Sequence, residues 1–272
     1  MLGIYFDYRK NGPGKLIDNL IKGLDKIDID YHLNSDSKYN LILQNVSRLH
    51  NNIENCIIGP NVCTLPIDNS IIMNYDSYNK LIVPSEWVFN LYKKWIPEDK
   101  IRIWSIGIDI EIFNDVCTLK EVDFLIYFKR RNRDDLNKII SFLNEIKKSY
   151  MVIEYGNYSE SDFKDKISKS RYGIVVDNCE SQGIAIMEML ACNLPLLVWD
   201  VNTWNDRGDS NKCVATSIPY WDHRCGEYFI DFNDFETKYN IFIKKSYNPR
   251  NYIIENHTID KSIEKLLYII NE

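Results

Sequence analysis

The chain has 272 residues, a formal net charge of -6 and 45% hydrophobic residues. That balance suffices for one large or two modest globular domains, and excludes the broad basic footprint of a nucleic-acid binder. No run of about 18 apolar residues is long enough to span a bilayer. Met1 to Arg9 is broken by Asp7 and Arg9, so it does not read as a signal peptide. The seven cysteines form no C-x-x-C pair, which points to reduced thiols in a cytoplasmic protein.

Leu2 to Phe6 reads as a strand, Asp7 to Lys15 as a polar loop containing Gly12 and Gly14, and Leu16, Ile17, Leu20, Ile21 and Leu24 as a helical stripe. Strand, glycine loop and helix make the first unit of a Rossmann-like domain. The glycines spell neither G-x-G-x-x-G nor a Walker loop, so no dinucleotide or P-loop site is read. Gly12 and Gly14 fit either close backbone approach to a ligand or a plain turn. Tyr39 to Gln44, Cys56 to Ile58, Ser70 to Met73 and Lys80 to Val83 are strand candidates, and Gly59-Pro60-Asn61 a strand-end turn. Ser85 is placed as N-cap of a helix reaching Trp95. Core packing suits that helix better than a membrane surface, since Lys93 and Lys94 are its few basic residues. Asp28-Ile29-Asp30 lies in an acidic, solvated run, and no metal site is read there. The first domain is expected to span 1–117 and the second 118–272.

In the second half, strands and helices alternate, which predicts a parallel sheet. Asp123 to Phe128 is a strand, followed at once by Lys129-Arg130-Arg131-Asn132-Arg133 and a helix over Asp135 to Ile146. Four cations at a strand's carboxyl end suit a diphosphate, with the inward choice among Lys129, Arg131 and Arg133 open. Met151 to Tyr155 is the next strand, ending in Gly156-Asn157-Tyr158, and a helix covers Ser161 to Ser168. Tyr172 to Val176 is a strand, Gly183 to Cys192 a helix and Leu196 to Trp199 a strand. Asn193 stands where a helix end needs a left-handed residue, and Pro195 forbids continuation. The helix is apolar nearly all round, so Glu188 is a buried carboxylate that needs a partner. Glu180 lies eight residues earlier, at the helix rim, where free N–H groups suit a phosphate or a sugar edge. Further on, Ile218 to Gly226 is aromatic and charged. His223 and His257 are as readily surface residues as catalytic ones. Phe235 to Ile243 and Ile259 to Ile270 read as helices.

The run ESQGIAIMEMLACNLPLLVW, residues 180–199, resembles the Glu-x7-Glu segment of retaining glycosyltransferases of the GT-B fold, group 1 or family 4 type, here in a short form. LIVPSEWV at 81–88 and the Gly107-Ile108-Asp109…Phe113 element are similar to that family's N-terminal domain closure. The chain departs from it at Gln182, at Asn193, and at Phe128 or Lys129, where a glycine is usual. The resemblance implies two Rossmann-like α/β domains facing a central cleft, the first on the acceptor side and the second binding the nucleotide-sugar donor. It also implies a last helix packing back across the first domain.

On that reading Lys129 and Arg131 stabilise the departing diphosphate, with Arg133 a further candidate and the N–H groups of Gln182, Gly183 and Ile184 assisting. Glu180 holds donor-sugar hydroxyls, Glu188 the ribose, and Tyr155, Gly156 and Asn157 the base; Gly12 and Gly14 approach donor or acceptor. The expected reaction is hexosyl transfer from a UDP- or GDP-sugar to a hydroxyl, with retention and without a metal or resident cofactor. The expected acceptor is a glycan, glycoconjugate or lipid-linked molecule, the last reached by peripheral membrane contact. Alternatives are a non-catalytic nucleotide-sugar binding protein and a GT-B nucleotide-sugar epimerase.

Overall fold

A computed structural model describes residues 1–7, 12–51, 53–115, 119–204 and 213–272. In chain order the elements are β1 (Leu2–Tyr5), α1 (Gly12–Lys26), β2 (Tyr31–Leu33), β3 (Tyr39–Ile42), β4 (Cys56–Ile58), α2 (Ser70–Met73), β5 (Lys80–Val83), α3 (Glu86–Tyr92) and β6 (Ile101–Ile103). They continue with β7 (Val122–Lys129), α4 (Arg133–Glu145), β8 (Tyr150–Glu154), α5 (Glu160–Lys169), β9 (Ser170–Asp177), α6 (Ile184–Ala191) and β10 (Leu196–Trp199). The last are β11 (Gly226–Phe229), α7 (Phe235–Phe242), α8 (Pro249–Asn256) and α9 (Ile259–Asn271). The chain divides into two compact units, 1–107 with 257–272, and 108–256.

The first unit is built on a parallel sheet ordered β2-β1-β3-β4-β5-β6. The apolar stripe of α1 buries Leu16, Ile17, Leu20 and Leu24. Helix α9, N-capped by the Thr258 side chain, packs against α1 through Ile259 and Ile263. Gly23 makes that contact close: a β-carbon there would lie 2.4 Å from Ile263 Cγ1. Two hydrogen bonds fix the register of α9, from Trp104 Nε1 to the Ser262 carbonyl (2.9 Å) and from Ser262 Oγ to the Ser105 carbonyl (2.8 Å). The last helix thus belongs to the first unit, as the resemblance implied.

In the second unit the sheet runs β11-β10-β9-β7-β8, again all parallel. Side chains alternate across a strand. Leu125 and Tyr127 of β7 therefore join a core with α5, α6 and α8, while Phe124, Ile126 and Phe128 join another with α4 and α7. Burial on both faces explains why these strands read as unbroken apolar runs. Arg250 of α8 donates to the carbonyls of Ile110 (3.2 Å), Phe113 (3.0 Å) and Ala191 (2.5 Å). Ile108 and Phe113 lie in the α6 core. That packing puts 108–113 in the second unit, whereas the sequence reading divided the chain after 117, within the segment 116–118 that lies outside the described residues.

Some elements differ from expectation. Ser70–Met73 is a single helical turn rather than a strand, because the Asn69 side chain accepts the Ile71 N–H and caps it. Four apolar residues carry too little periodicity to tell a turn of helix from a strand. Strands β2 and β11 are sheet edges with partly exposed side chains, and α8 begins at a proline, so none shows a long apolar signature. Ser85 occupies the N-cap of α3, but its hydroxyl makes no cap hydrogen bond. Val88, Leu91 and Tyr92 bury the face of α3 that suggested a core helix. No described helix is long and apolar enough to cross a membrane.

His257 is buried just before α9, with Nδ1 3.4 Å from Ser105 Oγ. Burial, and then the nearby Lys265 charge, push its pKa down to about 4. The unfolded chain therefore binds a proton between pH 6.5 and about 4 that the folded chain does not. Stability is expected to fall by roughly 3 kcal/mol as pH drops through that window. Urea unfolding from pH 7 to 4 should show this slope in the wild type and a flatter one in His257→Gln.

Candidate functional site

The second sheet has a reversal of strand order. From β7 the chain goes to β8 on one side and then to β9 on the other, so the switch point lies between the carboxyl ends of β7 and β9. Ligands of open parallel α/β sheets bind at such points. The residues that meet there are Lys129, last of β7, and its register partner Asp177, last of β9. Lys129 is 9% exposed and its ammonium pairs with Glu180 Oε1. Its Nζ also lies 3.8 Å from Asp177 Oδ2 and 4.7 Å from the Tyr155 ring centroid. Burial opposes the ammonium charge, but Glu180 and Asp177 outweigh it, and the Lys129 pKa ends above the ordinary lysine value. Asp177 is fully buried. Burial, then the neighbouring Glu180 carboxyl, push its pKa well above the usual aspartate range. The cluster therefore holds the Lys129–Glu180 ion pair beside a carboxyl whose pKa is held up by burial.

Around this centre the chain supplies a rim. Gly183 has φ +62 at the N-cap of α6, and a β-carbon there would press on Pro219 at 3.3 Å. Its left-handed geometry starts the helix without a capping side chain, leaving the first-turn N–H groups at the rim uncapped by one. Asn193 closes the same helix with φ +58, the left-handed end expected. Gln182 is buried in the preceding loop and its Oε1 has no partner. Glu188 is 3% exposed on α6. Its charge is felt by Tyr158, which burial, above all, raises to about 12. Tyr155 and Gly156 follow directly on β8, with Tyr155 39% exposed and open space beside Gly156. Asn157 is exposed in the same turn.

The five-residue basic segment splits by role. Lys129 points into the cluster, but Arg131 does not. Its Nε donates to Asp135 (2.9 Å) and its Nη1 to the carbonyls of Asp177 (3.1 Å) and Trp199 (2.9 Å), with the guanidinium 4.2 Å from the Trp199 ring centroid. It ties β7, β9 and β10 together. Arg133 turns outward, pairing with Glu154 and lying over Phe128. Arg130 is exposed, at φ +49, over Tyr155. Sequence spacing alone cannot separate these cations, since a loop that leaves the strand decides each direction. Asp177 escaped the sequence reading because it looked like an ordinary strand end. Its signal was the acidic residue at the close of an apolar run.

Gly12 and Gly14 lie in the first turn of α1, in the first unit. His223 is exposed, and Asp28 and Asp30 are exposed before β2. Among the described residues no group of three His, Cys, Asp or Glu side chains is placed to hold a metal. A groove of about 610 Å³ in the first unit, lined by Tyr39, Glu54, Lys80 and Lys100 among others, sits at the amino ends of its strands, away from the switch point.

No protein-family profile matches the sequence, and no curated protein is similar to it in sequence. Solved structures are similar over the whole chain. The lipopolysaccharide outer core galactosyltransferase WaaB, apo form, matches with a TM-score of 0.64 and 10% identity over 99% of this chain and 98% of that one. Sucrose-phosphate synthase from Thermosynechococcus elongatus matches with a TM-score of 0.60 and 9% identity over 99% and 98%. The fold is GT-B. An S. aureus TarM variant in complex with Fondaparinux, alpha-GlcNAc-glycerol and UDP matches with a TM-score of 0.58 and 16% identity, over 94% of this chain and 59% of that one. Both sheets of this GT-B chain are wholly parallel, so each presents one carboxyl edge for binding.

Two measurements check this geometry. With its pKa raised on folding, Asp177 holds its proton to higher pH than in the unfolded chain, so it makes wild-type stability fall as pH rises above the ordinary aspartate range. The stability of Asp177→Asn relative to wild type should therefore increase from pH 4 to pH 7 in urea unfolding, and a constant difference would mean an ionised Asp177. Arg131→Ala should cost about 2 kcal/mol in the same assay, the scale of hydrogen bonds to a charged group, while leaving nucleotide affinity within twofold.

Proposed function

We propose that the chain is a glycosyltransferase that moves a hexosyl group from a nucleoside-diphosphate sugar to an acceptor hydroxyl, with retention and without a metal. The observation that carries this is the buried Lys129–Glu180 pair at the β7/β9 switch point of a GT-B donor-type unit. A diphosphate replaces the Glu180 carboxylate on Lys129. The exchange keeps the ammonium paired and frees Glu180 to accept hydrogen bonds from donor-sugar hydroxyls. Removing one partner of a buried pair is costly, so whatever takes the place of Glu180 must bring a negative charge of its own. The N–H groups of Gln182, Gly183 and Ile184 add donors for phosphate oxygens. Tyr155 stacks on the base beside Gly156 and Asn157, and Glu188 takes the ribose hydroxyls. Arg131 holds the strand ends in place rather than touching phosphate.

In the transfer step the bond between the anomeric carbon and the diphosphate oxygen breaks. A bond from that carbon to the acceptor oxygen forms on the same face, and the acceptor proton passes to the leaving phosphate. Lys129 stabilises the charge that develops on that phosphate. The donor is a UDP- or GDP-sugar. UDP accompanies the TarM structure, which supports trying it first. The acceptor is a glycan, glycoconjugate or lipid-linked hydroxyl, bound by the first unit.

Calorimetry with UDP and GDP should give binding that weakens at least about tenfold, or 1.4 kcal/mol, in Lys129→Ala. Glu180→Gln should retain nucleotide binding but lose about 100-fold in nucleotide release from UDP- or GDP-sugars. Unchanged affinity in Lys129→Ala would remove the reading. Binding without turnover would make the chain a binding protein, and an epimerised nucleotide sugar as product would make it an epimerase.

A further inference from the structure

Two acids close neighbouring strands of the second sheet, Asp177 at the end of β9 and Asp200 directly after β10, and they take different tasks. Asp177 faces Lys129 at the switch point. Asp200 turns instead to the arm that returns after β10, which pairs with the outgoing arm through Trp204 and Cys213 (2.8 and 3.1 Å). Asp200 is 7% exposed, and its Oδ1 accepts the N–H groups of Val201 (2.8 Å) and Ser217 (2.6 Å). The Thr216 hydroxyl donates to the same carboxylate, 2.9 Å from each oxygen, and itself accepts the Ile218 N–H (3.0 Å). Hydrogen bonds to a carboxylate are roughly twice as strong as neutral ones, so the turn at 216–218 is held firmly. From that turn two further bonds reach the switch point. The Thr216 carbonyl accepts the Glu180 N–H (3.0 Å), and Ser217 Oγ donates to the Asp177 carbonyl (3.3 Å). Pro219 then backs Gly183, 3.3 Å from where a β-carbon would stand.

We propose that Asp200 is a positioning residue for Glu180, acting through Thr216. When a diphosphate takes the place of the Glu180 carboxylate on Lys129, that side chain loses the ammonium that directed it. The backbone bond to Thr216 then sets where the carboxylate can reach, and Asp200 fixes Thr216. Bracing of this kind matters for a loop residue, because a group that meets a reacting sugar must be held to a fraction of an ångström. Asp200 itself contacts no substrate. The sugar-holding task of Glu180 rests on the transferase reading; the coupling of Asp200 to Glu180 does not.

Amide hydrogen exchange followed by NMR, together with donor kinetics, tests this. In Asp200→Ala the Glu180 amide should exchange at least about tenfold faster than in wild type, while the amides of β9 keep their protection. Asp200→Asn, which retains the Oδ1 acceptor, should restore most of the Glu180 protection. Affinity for UDP and GDP should stay within about twofold in Asp200→Ala, while kcat for nucleotide release from UDP- or GDP-sugars falls about tenfold. Asp200→Ala combined with Glu180→Gln should be no slower than Glu180→Gln alone, because residues that act through one another do not add. Thr216→Val removes only the hydroxyl that reaches Asp200 and should repeat the exchange result, so the test stands even where Asp200→Ala does not fold. The proposal is overturned if Glu180 exchange in these variants is unchanged or quickens only in step with β9, or if the two losses multiply in the double variant. No nucleotide release by wild type would strike the transferase reading, and the exchange measurement would still decide the coupling.

Discussion

A parallel strand covered on both faces has room for a charge only where it ends. In the second unit, β7 buries Phe124 to Phe128 in two cores, one on each side, and the next residue is Lys129. The same holds for β9, whose apolar run closes on Asp177. Since the two strands are register partners, their first permitted polar residues face one another. The cluster follows from sheet burial, and the switch point keeps the neighbouring connections from covering it.

The cluster is a buried ion pair with a second carboxyl beside it. A buried ion pair seldom stabilises a fold beyond what apolar packing would give. Here burial opposes the Lys129 charge and the neighbouring Glu180 carboxylate sustains it, while burial and then Glu180 hold the Asp177 pKa above the usual aspartate range. The surroundings are braced independently. Arg131 binds the strand carbonyls, Arg250 gathers three carbonyls below α6, and Gly183 starts α6 against Pro219. With the frame fixed by other residues, the partner exchange proposed for Lys129 asks for no rearrangement of the sheet.

The first unit repeats the architecture with opposite electrostatics. Its switch point, between β1 and β3, carries the unpartnered Gln44 amide and an Arg48 already met by Asp7, in place of a buried ion pair. The difference lies in which residues succeed the strands, while the strands themselves are apolar runs of the same kind.

Much of this was legible in the sequence because it is local. Period and β-branching placed β7 to β10 and α4 to α7, but not α8. Asn193 before Pro195 located the end of α6, and an acid amid Ile, Met and Leu marked Glu188 as buried. Short or edge elements escaped, as with α2, β2 and β11, since a few residues carry no periodicity and an edge needs no apolar run. Direction escaped as well. Nothing in Lys129-Arg130-Arg131-Asn132-Arg133 says which cation turns inward, and only the packed strand ends give Arg131 its carbonyls and Arg133 its outward partner. Gln44 looked like the tail of a strand until tertiary structure buried its amide and withheld every partner. The sequence by itself determined the periodicities, the helix stops and the basic segment at a strand end, because these depend on neighbours in the chain. Tertiary structure decided which polar groups are paired and which are not, because pairing depends on residues far apart in sequence.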